Sequence, residues 1–225
     1  DFNPSNNSAT DSDPVGFIAN PAAVPLSSLS GGDGFRLDGA ASYDRSGYAV
    51  SAAGDVNGDG FDDLIIGSDG ADPNGSLSGS SYVVFGQSQG FPAAIDLATL
   101  DGDNGFRLDG VAENDYSGFS VAGAGDVNGD GTDDLLIGAY GADPNGERSG
   151  SSYVVFGRTT GFAAVVGIAG LDGSSGFRLD GVAADDRSGF SVSGAGDVNG
   201  DAIDDIIIGA PFADPNGQRS GSSYV

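Results

Sequence analysis

The sequence predicts an all-β protein built from three equivalent units. Its 41 glycines, among 225 residues, separate short bursts of Val, Ile, Tyr and Phe, a pattern typical of short strands joined by tight turns. The hexapeptide Gly-Asp-Val-Asn-Gly-Asp occurs three times, with its first Asp at Asp55, Asp126 and Asp197, so successive copies are 71 residues apart. A regular repeat of this kind predicts structural units stacked side by side.

The repeat register runs from residue 20 to residue 225 without an insertion or deletion. It divides the sequence into repeat 1 at residues 20–90, repeat 2 at 91–161 and repeat 3 at 162–225, the last truncated in its third strand. Residues 1–19 lie outside the repeat and are rich in Asn, Ser, Asp and Pro, which predicts a flexible N-terminal arm. A docking segment anchored by Phe17 and Ile18 is the alternative.

Four strands are predicted for each unit, and the second copy displays them most clearly. They are Gly118–Ala122, Asp134–Gly138, Ser152–Phe156 and Gly176–Asp180. The inner ones are apolar and the last is more polar, as in a four-stranded antiparallel blade of a β-propeller. The expected fold is therefore three propeller-type blades, open or completed by other subunits, and a solenoid of β-hairpins is the alternative.

Each copy has an Asp- and Asn-rich loop between its first two predicted strands. Oxygen donors at loop positions 1, 3 and 5, a carbonyl at position 7 and a later carboxylate are suited to Ca²⁺, which accepts about six to eight oxygens in flexible geometry. Zinc and copper prefer His and Cys, and the sequence has neither. Asp-Asn-Gly runs also form ordinary turns, but three in one register favour a metal. We therefore predict about one Ca²⁺ per repeat, three in all.

The predicted ligands occupy the same five loop positions in every copy. They are Asp55, Asn57, Asp59, the carbonyl of Phe61 and Asp63 in the first copy, Asp126, Asn128, Asp130, the carbonyl of Thr132 and Asp134 in the second, and Asp197, Asn199, Asp201, the carbonyl of Ile203 and Asp205 in the third.

Two details of these loops affect the expected binding. Neighbouring strand residues point in opposite directions, so the sequence leaves open whether Asp62 or Asp63 closes the first site. Ala202 replaces a loop glycine in the third copy, and a left-handed non-glycine residue costs on the order of 1 kcal/mol. The third site is therefore expected to be the weakest.

Composition excludes several classes of partner and activity. The 33 acidic and 8 basic residues give a net charge of -25, which would repel nucleic acids and anionic lipids. No apolar run approaches the roughly 20 residues of a membrane-spanning helix. The absence of Cys rules out disulfides, and metal ions could stabilise the fold in their place. An enzyme is not expected, because the sequence lacks His and Lys as well and metal binding explains the repeated carboxylates better than acid–base pairs do.

Two further sets of repeated residues have expected roles. Arg36, Arg107 and Arg178 are predicted to pair with a nearby Asp on an outer strand, and Asp44, Asp115 and Asp186 are predicted to cap a turn or extend the metal shell.

These motifs resemble the FG-GAP repeat of integrin α-chain propellers and of many bacterial secreted proteins. The resemblance covers residues 20–225, and its most specific part is Gly-Asp-Val-Asn-Gly-Asp-Gly followed by Asp-Asp and an apolar strand ending in Gly. It departs from the family name in that Gly precedes Phe at Gly118-Phe119, and Gly-Ala-Pro occurs only at Gly209–Pro211. The resemblance implies calcium in the loop joining the first two strands of a blade, and an extracellular or cell-surface, secreted protein.

The expected function is a calcium-binding structural or adhesion scaffold that contacts a cell-surface or matrix protein or a glycan. A calcium-dependent, lectin-like carbohydrate-binding module is the alternative. Three blades are too few to close a ring, and open blade edges favour self-association, head to tail, into a ring or filament. A piece of a longer repeat array fits the sequence equally well.

Overall fold

A computed structural model describes residues 23–225, and this part of the chain is all-β, as predicted. Its strands are β1 Arg36–Asp38, β2 Ala49–Gly54, β3 Asp63–Ser68, β4 Ser80–Val84, β5 Ala94–Asp96, β6 Gly105–Asp109, β7 Ser120–Gly125, β8 Asp134–Ala139, β9 Ser151–Val155, β10 Val165–Gly167, β11 Gly176–Asp180, β12 Ser191–Gly196, β13 Asp205–Ala210 and β14 Ser222–Tyr224. Short 3-10 helices span Leu26–Ser28, Leu97–Thr99 and Ile168–Gly170. The predicted N-terminal arm, residues 1–19, lies outside the described residues.

The strands form three blade-like sheets and one separate pair. Sheet one has the order β10-β6-β4-β3-β2, sheet two β11-β9-β8-β7 and sheet three β12-β13-β14, while β1 pairs with β5. The four strands predicted for the second copy are those of sheet two, with ends shifted by up to three residues. Sheet two is therefore the expected four-stranded antiparallel unit, sheet one has the four antiparallel strands and an unexpected fifth, parallel strand, and sheet three has three strands, as expected for the truncated repeat 3.

The extra strand of sheet one comes from one of the segments between the third and fourth strands of successive units. Sequence reasoning treated these segments as linkers. Each forms a three-residue strand that crosses to the preceding unit and pairs in parallel with its outer strand. In this way β5 pairs with β1, and β10 pairs with β6. Sheet one consequently gains a fifth strand, β10, from repeat 3.

The apolar runs form the inner strands, because neighbouring sheets cover both faces of these strands. All six residues of β8 and all five of β9 are buried. One core cluster lies between sheets one and two and includes Ile65, Phe106 and Leu135, and a second lies between sheets two and three and includes Leu136. The outer strands are more exposed to solvent. The three predicted Arg–Asp pairs form on them: Arg36–Asp38, Arg107–Asp109 and Arg178–Asp180.

No helix among residues 23–225 has the length and apolar character needed to cross a membrane.

Glycines allow the sheets to approach closely at one end. A β-carbon on Gly67 would clash with the carbonyl oxygen of Gly118, and one on Gly138 would clash with that of Gly189. Both contacts join β3 or β8 to a glycine that lies two residues before the first strand of the next sheet. The equivalent residue of sheet three, Gly209, has no such backbone neighbour, and a β-carbon there would meet the hydroxyl of Ser191 first.

We expect Gly138→Ala to lower the free energy of unfolding by about 1–3 kcal/mol, because the added methyl group overpacks a rigid backbone contact. Gly209→Ala is the matched control, since Ser191 can rotate away and no further sheet lies behind it. Urea denaturation of both variants measures the difference. Equal losses would contradict the close packing of sheets two and three at Gly138.

Candidate metal centres

The three predicted metal loops lie at the same end of the three sheets. They join β2 to β3, β7 to β8 and β12 to β13. Each first strand ends in a register shift, at Gly54, Gly125 and Gly196, and these glycines have positive φ values of 74°, 74° and 66°. A bulge of this kind bends the strand and redirects the chain, so the following Asp starts a tight loop.

The first loop is curled by hydrogen bonds from its own backbone amides. The amide of Asp59 donates to Asp55 Oδ1 at 3.0 Å and to Asn57 Oδ1 at 2.8 Å, so the oxygens at positions 1 and 3 lie close together. The amide of Gly60 donates to Asp55 Oδ2 at 2.8 Å. The amide of Phe61 donates to Asp59 Oδ1 at 2.9 Å, which brings position 5 and position 7 together.

The second and third loops repeat this arrangement. The amide of Asp130 donates to Asp126 and Asn128 at 3.0 and 2.8 Å, and the amide of Asp201 donates to Asp197 and Asn199 at 3.0 and 2.9 Å. The amides of Thr132 and Ile203 donate to the position-5 carboxylates at 3.0 and 2.9 Å. The structure thus brings predicted positions 1, 3, 5 and 7 together in every copy, while the role of the position-7 carbonyls remains a prediction.

The two adjacent carboxylates at the ends of the second and third loops have different partners, and in all three loops the second carboxylate of the pair binds its own loop. Asp63 faces its own loop, where its oxygens accept the amides of Val56 at 3.0 Å and Gly86 at 2.8 Å. Asp134 does the same with Val127 at 3.0 Å and Gly157 at 2.9 Å. In the third copy, Asp205 accepts the amide of Val198 at 2.8 Å. This geometry favours Asp63, Asp134 and Asp205 as the closing ligands.

The preceding carboxylate instead links its sheet to the loop before it. Asp133 Oδ2 accepts the amide of Asp55 at 2.7 Å, and Asp204 Oδ2 accepts the amide of Asp126 at 3.0 Å. The amides of Asp133 and Asp204 return the bond to the carbonyls of Asp55 and Asp126 at 3.1 and 3.2 Å. Sequence reasoning missed this bridging role, and the only signal for it was the repetition of a second Asp at the loop exit.

Two of the closing carboxylates, Asp63 and Asp134, have raised pKa values because they are buried near other acidic side chains. Burial raises the pKa of Asp63 to about 6; the charges of Asp59 and Asp55 add to this rise, while the amide donors oppose it. Burial likewise raises the pKa of Asp134 to about 7, with Asp130 and Asp126 adding to it. A divalent cation would remove this cost by neutralising the crowded carboxylates.

The donor set fits a hard cation, although no preformed cluster exists. Within residues 23–225, no three acidic, His or Cys side chains converge closely enough to make a metal site as they stand. Oxygens such as Asp126 Oδ1 already accept two amides, but the second oxygen of the same carboxylate, Oδ2, accepts one and retains a lone pair for a metal. The side chains of positions 1, 3 and 5 would therefore hold Ca²⁺ after small adjustments, with the closing Asp completing the shell.

Comparison with known proteins finds matches in the same three segments that form the inner strands and loops of the sheets. The model of the FG-GAP repeat matches residues 46–84, 117–155 and 188–225, which together make up just over half of the chain. The chain belongs to the FG-GAP repeat family. Each matched FG-GAP repeat contains the three inner strands of one sheet and the loop between the first two.

The FG-GAP repeats of this chain are similar to parts of much longer proteins. Bovine phosphatidylinositol-glycan-specific phospholipase D is 34% identical over 194 residues, covering 81% of this chain and 21% of that protein. Integrin alpha pat-2 of Caenorhabditis elegans is 32% identical over 194 residues, covering 81% of this chain and 14% of the integrin. Mouse integrin alpha-IIb is 35% identical over 111 residues, or 47% and 9% of the two chains. The chain therefore spans about a fifth or less of these relatives.

The third FG-GAP repeat contains the strained loop residue predicted from its sequence. Ala202 has a φ of 70°, whereas Gly60 and Gly131 at the same position have φ values of 90°. We expect Ala202→Gly to raise the free energy of unfolding by roughly 0.5–1 kcal/mol, because relief of strain outweighs the extra freedom of glycine in the unfolded chain. Gly131→Ala is the reciprocal control, since a β-carbon there meets nothing within 4 Å. Chemical denaturation should show opposite signs for the two variants, and equal signs would contradict the assignment of strain.

The bridging Asp residues give a second prediction. Asp133→Ala removes a charged acceptor from the amide of Asp55 and should lower the free energy of unfolding by about 1.5–3 kcal/mol. Asp62→Ala is the matched control, because Asp62 holds the same repeat position and no preceding loop of the described chain contacts it. Both are measured by denaturation at micromolar concentration. If Asp133→Ala proves as mild as Asp62→Ala, the bridge contributes nothing to stability.

Proposed function

We propose that this chain is a calcium-stabilised scaffold whose FG-GAP repeats form blades of a β-propeller. The supporting observation is that further acidic side chains lie near the closing carboxylates of the first two loops, Asp63 and Asp134, and that these two loops also bind the following sheet. A cation in the loop neutralises these carboxylates and holds the backbone that Asp133 or Asp204 binds. Calcium binding and sheet packing are thereby coupled.

The proposed role is structural or adhesive and extracellular or at the cell surface. Loops exposed to millimolar calcium outside cells can remain occupied even with dissociation constants of about 10⁻⁴ M. The similarity to integrin alpha chains supports a surface location, and the net charge of -25 opposes a nucleic-acid partner. A surface or matrix protein or a glycan is the proposed partner. A non-catalytic role is proposed because the repeated loop carboxylates are already engaged with backbone amides.

Calcium removal is the direct test. Each occupied site at a calcium concentration 100-fold above its dissociation constant would add about 2.7 kcal/mol, which corresponds to roughly 5–10 °C in melting temperature. We therefore expect EGTA to lower the melting temperature measured by circular dichroism, and calorimetric titration to find three bound ions, with the third loop weakest. Identical melting curves in calcium and EGTA would refute the proposal.

A matched pair of variants assigns the ions to the loops. Asp130→Asn removes an exposed loop carboxylate and should reduce the bound calcium from three ions to two. Asp103→Asn removes the same charge from an exposed position outside the loops and should leave three. A loss of calcium in both variants would indicate diffuse attraction by the acidic surface instead of defined sites.

Carbohydrate binding is the second candidate, and one cavity favours it. A cavity of about 550 Å³ lies at the end of β7 opposite the metal loop and is lined by Glu113, Asn114, Tyr116, Asp143 and Arg148, among others. The ring of Tyr116 stacks on Tyr140 at 5.1 Å. Aromatic, carboxylate and guanidinium groups together suit a sugar ring and its hydroxyls. A glycan array with wild-type protein and Tyr116→Ala tests this, and an array without hits would reject it.

A further inference from the structure

The candidate metal loops of neighbouring repeats are in direct contact. The amide and the carbonyl of Asp55 in the first loop both bond to Asp133 at the exit of the second, at 2.7 and 3.1 Å. Asp126 and Asp204 repeat both bonds one repeat later, at 3.0 and 3.2 Å. Each of these bridging Asp residues immediately precedes the closing carboxylate of its own loop. A movement of the closing carboxylate therefore also moves a hydrogen-bond partner of the preceding loop.

A second contact joins a glycine of one loop to the position-7 residue of the next. A β-carbon on Gly58 in the first loop would lie 3.5 Å from Cγ2 of Thr132. A β-carbon on Gly129 in the second loop would lie 2.8 Å from Cδ1 of Ile203. The carbonyls of Thr132 and Ile203 are the predicted position-7 ligands. The residue that would offer its carbonyl to one cation therefore packs on the loop that would hold the preceding cation.

A chain of hydrogen bonds also connects the closing carboxylates of the first two loops. Asp134 Oδ1 accepts the amide of Gly157 at 2.9 Å, and the amide of the next residue, Arg158, donates to the carbonyl of Val56 at 2.9 Å. The amide of Val56 donates to Asp63 Oδ2 at 3.0 Å. The two carboxylates that would close neighbouring sites are thus linked through short pieces of backbone.

Electrostatics alone would oppose cooperation between the loops. A bound cation weakens the negative field that attracts the next one, so loops that shared only charge would bind successive cations more weakly. The contacts act in the opposite direction. An ordered loop fixes the hydrogen-bond partners of its neighbour, so the next cation has less conformational entropy to overcome. Tighter binding by a pair of loops than by the same loops singly would therefore come from the contacts.

We propose that calcium binding is positively coupled between neighbouring loops, so that an occupied loop raises the affinity of the loop next to it. Asp133 and Asp204 act as positioning residues for this coupling. The inference rests on the proposed function, because it takes the loops to be calcium sites. Coupling between sites is reciprocal and typically changes each affinity by about 5–150-fold. The loops consequently fill over a narrower range of calcium concentration than independent sites would.

Variants that retain two of the three loops test the coupling. Asp201→Asn leaves the first and second loops, which are neighbours, whereas Asp130→Asn leaves the first and third, with the second loop between them. Both variants lose the position-5 carboxylate of one loop, so they are matched in charge and in number of sites. Combining two of the substitutions Asp59→Asn, Asp130→Asn and Asp201→Asn leaves a single loop and gives its reference affinity.

The measured quantity is a ratio of calcium association constants from calorimetric titration at about 0.15 M ionic strength, where charges more than about 8 Å apart are largely screened. The product of the two constants of each pair is divided by the product of the two single-loop constants. We expect a ratio of at least about 5 for the first and second loops. For the first and third loops we expect a ratio of 1 or less.

The bridging residue has its own matched pair of variants, both made in the Asp201→Asn background. Asp133→Ala removes the bridge between the first and second loops and should lower their ratio towards 1. Asp204→Ala removes the equivalent bridge between the second and third loops and should leave that ratio unchanged. The single-loop references carry the same substitution, so a direct effect on one loop cancels. Equal ratios in the two variants would overturn the role of Asp133.

Three results distinguish failure of the coupling from failure of the proposed function. A ratio of 1 or less for the first and second loops, with both still binding calcium, would overturn the coupling and leave the proposed function standing. Equal ratios above 1 for the neighbouring and the separated pair would also overturn it, because the effect would not depend on contact between loops. A wild type that binds no calcium would refute the proposed function and the coupling together.

Discussion

The packing of successive sheets depends on the backbone of the first Asp in each of the first two loops, Asp55 and Asp126. The amide of Asp55 donates to the side chain of Asp133, and its carbonyl accepts from the amide of Asp133. The same residue holds the loop closed by accepting two backbone amides through its carboxylate. One residue therefore belongs both to the candidate metal centre and to the junction, and any ion that orders the loop also orders the junction.

The opposite end of the sheets is organised differently. Backbone strain repeats there, because Tyr43, Asn114 and Asp185 share a left-handed conformation at equivalent positions. The side chains do not repeat in the same way: Asp69 and Tyr140 are equivalent by register yet chemically unlike. At this end the copies share a backbone conformation but differ in their side chains, whereas at the loop end they share both.

The sequence was sufficient to predict the elements whose chemistry repeats. The 71-residue period located all three loops, and the apolar runs located the inner strands to within three residues in the second copy. It could not distinguish the roles of Asp62 and Asp63, because both are acidic and adjacent, and only the position of the preceding sheet separates them. It also missed β5 and β10, since three residues such as Val165–Gly167 are too short for a periodic pattern and pair in parallel with a distant strand. These features are tertiary and have no local signature.

The crossing strands also explain why the repeat does not coincide with the structural unit. The linker of one repeat pairs with the outer strand of the one before, so the inner three strands form one unit and the outer edge is shared. The first two FG-GAP matches end with the third strand, at the point where the chain leaves its own sheet. The linker strand of a unit pairs with the outer strand of the unit before it, and the bridging Asp binds the preceding loop. These contacts always run from one unit to the unit before it in the chain. A directional interaction of this kind gives the array two unlike ends.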